Sequence, residues 1–96
     1  MGNATNAKAK GSRNERRSMK LLEATGYACT RAAASLGVFD IIGIGSTDVV
    51  LCQVKTRDWP STEETECIRL FLAPANCRKL IHRWLDGERL PDVREV

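Results

Sequence analysis

The chain has 96 residues, enough for one domain with a small core, and its 43% hydrophobic and 28% charged residues are ordinary for a folded globular protein. No apolar run approaches the length of a membrane-spanning helix, and no apolar stretch follows the opening Met1-Gly2-Asn3-Ala4-Thr5-Asn6; no membrane anchor or secretory leader is expected, and the expected compartment is the cytoplasm. The net charge of +3 is uneven, with nine Lys/Arg against four Asp/Glu in residues 1–57 and six against eight in 58–96, so the first half is where a polyanion would be met.

Residues 1–11 mix Gly, Asn, Ala and Lys with nothing large and apolar, the composition of a flexible basic tail before a single domain over 12–96. Ser12 with Glu15 has the spacing of a capping box, so a helix is expected to start there. Met19, Leu21 and Leu22 form its apolar stripe, Arg13, Arg16, Arg17 and Lys20 cover its other faces, and Gly26 ends it. Tyr27–Arg31 reads as a short strand. The β-branched runs 39–44 and 49–55 flank Gly45-Ser46-Thr47-Asp48, which suits a hairpin. Both runs are apolar on two faces, so this hairpin should lie at the centre of a sheet covered on both sides.

Trp59-Pro60-Ser61 breaks the pattern. Ser61 or Thr62 can cap a second helix with Glu63 and Glu64 in its first turn, Cys67, Ile68 and Phe71 as its apolar face and Pro74 as its stop. Leu80, Ile81, Trp84 and Leu85 have helical spacing, but Asp86-Gly87 is a hairpin signal, and two strands near 78–85 and 88–95 are the favoured reading. The four cysteines, Cys29, Cys52, Cys67 and Cys77, form no CxxC knuckle, and His82 is the single histidine. No zinc site is expected; buried free thiols and a structural histidine are. Trp59 and Trp84 read as core or dimer contacts.

The chemistry lies in Phe39-Asp40, the hairpin, and Gln53-Val54-Lys55. Strand side chains alternate, so Gln53 and Lys55 share a face. If Gly45 faces Asp48, paired residue numbers sum to 93 and Asp40 stands opposite Gln53, with Cβ atoms about 4.5–5.5 Å apart. A carboxylate and an amide oxygen at that distance can share one hard cation, with the Lys55 ammonium reaching toward the same point. Phosphodiester hydrolysis needs such parts: a metal that acidifies water, oxygen ligands suited to magnesium or manganese, and a cation for the developing negative charge. An acid inside Val38-Phe39-Asp40-Ile41-Ile42 also needs a compensating partner.

Asp40 followed by Gln53-Val54-Lys55 resembles the PD-(D/E)XK nuclease signature, at the hairpin spacing of archaeal and phage Holliday-junction resolvases. Glu15 resembles that family's helical acidic residue, and Arg31 and Ser35 fall in the loop before the aspartate as they do there. Two positions depart: Phe39 stands where the signature has proline, and Gln53 where it has an acid. The resemblance implies an α/β, restriction-endonuclease-like fold with a mixed central sheet flanked by helices, in the order α-β-β-β-α-β-β. It implies a metal-dependent endonuclease acting on DNA, branched DNA included, and working as a homodimer. Its catalytic residues would be Glu15, Asp40, Gln53 and Lys55. The metal, Mg²⁺ or Mn²⁺, would be held by Asp40, Gln53 and the Val54 backbone carbonyl, with Glu15 supporting a second ion. Arg13, Arg16, Arg17, Arg31 and Ser35 would contact DNA. The neutral Gln53 leaves an alternative open: a catalytically inactive nucleic-acid-binding homologue.

Overall fold

The computed structural model describes residues 3–32 and 36–96. The elements are α1 (Asn3–Ala24), β1 (Ala28–Arg31), β2 (Ile41–Ile44), β3 (Val49–Thr56), α2 (Thr62–Leu70), β4 (Cys77–Trp84) and β5 (Asp92–Glu95), in the expected order α-β-β-β-α-β-β. They build one five-stranded sheet in spatial order β1-β2-β3-β4-β5. Only β3 and β4 run parallel, joined through α2; the other pairs are antiparallel. The central hairpin is therefore the middle of a mixed sheet.

The long strand β3 divides its residues between two cores. Val50 and Cys52 join Ile41, Leu80 and Leu22 of α1, with Met19 against them. Leu51 joins Phe39, Ile81 and Ile68 of α2 on the other face. Each helix thus covers one face, which is why β3 lacks a polar side until Gln53. Burying such side chains contributes roughly 1.5–3 kcal/mol each against the entropy of ordering the chain.

Helix α1 begins at Asn3, upstream of the expected Ser12 start. Alanine and lysine among residues 3–10 favour helix, so the Ser12–Glu15 spacing falls mid-helix and caps nothing. Its end is as expected: Gly26 has φ +103° and Thr25 and Gly26 donate to the carbonyls of Leu22 and Glu23. Helix α2 has the capping box instead. Ser61 Oγ accepts the Glu64 N–H at 3.1 Å and Glu64 Oε1 accepts the Ser61 N–H at 3.2 Å. This helix stops at Leu70, before Pro74, with Phe71 extended at the cap and its ring edge-on to Phe39 at 5.2 Å.

The C-terminal pair is two antiparallel strands as expected, but the second begins only at Asp92, not near 88, and Gly87 at φ +80° lies in a longer connection, 85–91, rather than in a tight hairpin. Trp84 is 1% exposed and belongs to the core. Its indole N–H donates to Ser18 Oγ at 2.8 Å, and that hydroxyl lies 2.9 Å from His82 Nδ1. Because Ser18 Oγ accepts from Trp84, its own proton is free for Nδ1 of a neutral imidazole. Burial lowers the His82 pKa, which favours that form. His82 is thus a satisfied core histidine. All four cysteines are free thiols, but only Cys52 is buried; Cys29 and Cys77 are half-buried, and Cys67 is exposed beside the buried Ile68, so it does not form part of the apolar face of α2.

Candidate active site beyond the central hairpin

The hairpin keeps the expected register as far as Ile41 opposite Cys52, and the Gly45 N–H donates to the Asp48 carbonyl at 2.8 Å. At Asp40 the pairing changes. Its N–H donates to the Cys52 carbonyl at 2.9 Å, so Asp40 and Ile41 both stand against Cys52. This is a β-bulge, and Asp40 is not the direct opposite of Gln53. The extra residue re-aims the side chain: Asp40 Oδ2 accepts the Val54 N–H at 2.7 Å. The Asp40 carbonyl accepts the Ala32 N–H at 2.9 Å. Asp40 is thus fixed by Ala32, just past the end of β1, and by β3 at the point where the two central strands part.

Its environment disfavours charge. Burial raises the Asp40 pKa, opposed by the Val54 N–H and the fields of Lys55 and Arg31, and Glu64 adds to the rise. Gln53 is 4% exposed, and its Oε1 is buried without a hydrogen-bond partner. An orphaned buried carbonyl oxygen is costly and calls for an explanation. Gln53 directly precedes Val54, whose N–H holds Asp40, and an orphaned amide oxygen is a donor that suits a hard cation. Lys55, two residues on along the same face, lies 3.5 Å from Glu64 Oε1, the oxygen that also caps α2. Sequence reasoning saw Glu64 only as a first-turn acid; its contact with Lys55 depends on how α2 returns over the sheet.

Glu15 approaches from α1. Its Oε1 is 3.0 Å from Arg31 Nη2, which also donates to the Ser12 carbonyl at 3.1 Å. Burial raises the Glu15 pKa, Asp40 raises it further, and Arg31 opposes both. The two carboxylates therefore repel each other across the gap between helix and sheet, a repulsion that a cation would relieve. Neighbouring Asn14, 4% exposed, pins this part of α1 by donating to Thr56 Oγ1 at 2.9 Å. The sequence reading passed over Asn14; a polar residue one position from Glu15 was the available signal. Among the described residues, no three His, Cys, Asp or Glu side chains gather as a metal cage.

The cationic residues divide. Arg13 and Arg16 are exposed on α1. Arg17 is engaged within the fold: its guanidinium lies 3.9 Å from the Trp84 ring centroid, and it donates to the Glu88 carbonyl and to Asn14. Arg31 is taken up by Glu15. Ser35 lies outside the described residues. A hollow of about 560 Å³ sits between the end of α1 and β4–β5. Val50, Leu80 and His82 line it, so it is on the sheet face opposite Gln53 and Lys55 and is apart from this site.

The family model of the archaeal Holliday junction resolvase (Hjc) matches residues 6–82. The chain belongs to the archaeal Holliday junction resolvase family. Membership places it among metal-dependent nucleases that act on Holliday junctions. The fold agrees. Hjc of Archaeoglobus fulgidus, described as a Holliday junction resolvase from an archaeal hyperthermophile, is similar with a TM-score of 0.68 and 23% identity, over 90% of this chain and 70% of that one. The architecture is thus the restriction-endonuclease-like one of that resolvase. No curated protein matches the chain.

Proposed function

We propose that this resolvase-family chain cuts branched DNA in the presence of magnesium or manganese, through a site made of Asp40, Gln53, Val54, Lys55 and Glu15. The observation that carries the reading is the buried, unpartnered Oε1 of Gln53, the residue before Val54, whose N–H holds Asp40. These donors fit a hard divalent cation. Asp40 and Gln53 would hold it with the Val54 carbonyl, and Glu15 would support a second ion or its water shell. Bound, the ion supplies Lewis acidity and a water of lowered pKa.

The chain's own groups do the rest. Asp40 holds its carboxylate still through the Val54 N–H. Lys55 presents an ammonium to the attacking water or to the negative charge growing on the phosphate. Exposed Arg13 and Arg16 would track phosphates along α1, Arg17 and Arg31 would meet DNA nearer the fold, and Ser35 would add a contact from the segment before Asp40. Two copies in a homodimer would supply the two cuts that a four-way junction needs. A DNA-acting protein of this kind would work in the cytoplasm.

The test is cleavage of end-labelled four-way junctions and of matching linear duplexes, with and without magnesium. Magnesium-dependent cuts in the junction are expected. Binding without cutting at any magnesium or manganese concentration would mark the chain as an inert relative, with neutral Gln53 as the cause.

A further inference from the structure

We propose that Arg94, carried on the ring of Trp59, is a phosphate-contacting residue that extends the DNA track from Lys55 to the outer strand β5. The inference rests on the nuclease reading above. Its starting point is the register. Lys55 and Arg83 are Cα partners across β3 and β4, Gln53 and Ile81 are the pair before them, and Ile81 is in turn the partner of Arg94. Cα partners project to the same side of a sheet, so Gln53, Lys55, Arg83 and Arg94 share one face. With strands about 4.8 Å apart, Arg94 lies about 10 Å from Gln53 along that face. A DNA strand carries one phosphate per about 3.4 Å of axis, so the same backbone can pass both points.

Trp59 organises the two arginines. The Arg83 guanidinium is 4.5 Å from its ring centroid and the Arg94 guanidinium 3.8 Å. Stacking on an aromatic ring fixes the plane of a guanidinium and leaves its in-plane N–H groups free to fork onto an anion. The two cations are not equivalent. Arg83 is already paired with Asp92, and its Nε is buried without a partner. Arg94 is exposed and, among the described residues, makes no ion pair. Both acids of β5 are neutralised, Asp92 by Arg83 and Glu95 by Arg78. The uncompensated charge of this edge is therefore Arg94, in a half of the chain whose formal charge is negative. Occupied by two guanidiniums, Trp59 serves as their support and not as a platform for a DNA base.

The test is binding of the full chain to a labelled four-way junction across a salt series, without divalent metal, for wild type, Arg94→Ala and Arg94→Lys. Arg94→Ala is expected to weaken binding about fivefold to tenfold near 0.1 M salt, the worth of one released counterion, and to reduce the salt slope by about one. Arg94→Lys, which keeps charge but loses the planar stack, should recover the slope and only part of the affinity. If wild type shows a salt slope and Arg94→Ala keeps it whole, the subsite is wrong while the nuclease reading stands. If wild type itself binds no junction, that reading falls and takes the subsite with it.

Discussion

The two ends of the sheet are built from similar residues and treat them oppositely. At the hairpin-turn end, polar groups are paired with one another. The Tyr27 hydroxyl donates to Asp48 at 2.8 Å, Arg78 binds Glu95 through two contacts of 3.0 and 3.1 Å, and the turn closes through Gly45. At the other end, Asp40 sits in a bulge with a raised pKa, Gln53 leaves an oxygen unpaired, and Glu15 repels Asp40. One end pairs its polar groups; the other leaves the Gln53 oxygen unpaired and two carboxylates repelling each other. A fold with marginal stability keeps such an end only if the rest is closed tightly enough to hold it.

The largest effect should come from Asp40→Asn. If Asp40 is the anionic ligand proposed above, its loss removes several kcal/mol of transition-state stabilisation, so cleavage should fall about a thousandfold or more. Lys55→Ala should do the same while leaving junction binding nearly intact. Stability should move the other way. The folded-state pKa of Asp40 lies above the unfolded 3.8, so the folded chain binds more protons in that window and its charged form is a cost at neutral pH. Without metal, Asp40→Asn should therefore melt higher than wild type near pH 7. That gap should close as pH falls through the raised Asp40 value and the wild-type carboxylate takes its proton. Added magnesium should also close it. Thermal melts at a series of pH values check this, and a constant gap would sink the linkage argument.

These contrasts divide what the amino-acid pattern reveals from what it hides. The β2–β3 register was legible because turn residues and apolar alternation agree on one pairing. Gln53 and Lys55 on one face followed from period two alone. The bulge at Asp40 was not legible, because it arises where Ala32, just past β1, and β3 both claim the same residue. Nor was the start of α1, where a plausible capping box at Ser12 competes with a good helix-forming run before it. The Lys55–Glu64 and Trp59–Arg94 contacts depend on how distant segments return over the sheet, which no local spacing encodes. The capping box that does form, Ser61 to Glu64, had the same local signature as the one that does not.

Gln53→Glu sharpens the difference between the ends more gently. A charged oxygen attracts a hard cation more strongly than an amide, so half-maximal cleavage should need about tenfold less magnesium. Without metal, a new carboxylate near Asp40 and Glu15 should lower the melting temperature, since like charges there have no relief. A magnesium titration followed by cleavage and by melting separates the two effects. An unchanged midpoint would mean that position 53 does not face the ion.

Glu64 serves both helix and site, and two variants separate the roles. Gln at this position still completes a capping box, so Glu64→Gln should melt within about 2 °C of wild type, the scale of an exposed ion pair. Glu64→Ala keeps the Ser61 Oγ bond to the backbone but loses the reciprocal half of the capping box, on the order of 0.5–1 kcal/mol, and should melt roughly 2–8 °C lower. Both should slow cleavage about threefold to tenfold, because Lys55 loses the carboxylate charge that directs it. Equal cleavage by wild type and Glu64→Gln would leave Glu64 as a cap only.

The smallest effect on cleavage should follow from damage at the closed end. A Cβ on Gly45 would lie 2.8 Å from Tyr27 Cε1 and 2.9 Å from Asp48 Oδ1, too close for either to stay. In Gly45→Ala the ring or the carboxylate must swing away, and their hydrogen bond opens. Tyr27→Phe removes the same bond without the clash. Both should melt lower, Gly45→Ala by about 4–8 °C if the displaced ring strains its neighbours by about 1 kcal/mol, and Tyr27→Phe by less. Neither touches Asp40, Gln53 or Lys55, and the β2–β3 register is still held by Ile41 and Ile42 against Cys52 and Leu51. Cleavage measured well below the melting point should thus match wild type in rate and in magnesium requirement. A rate loss in Tyr27→Phe, with its milder disturbance, would show that the two ends are coupled through β3 and that the closed end helps to aim the open one.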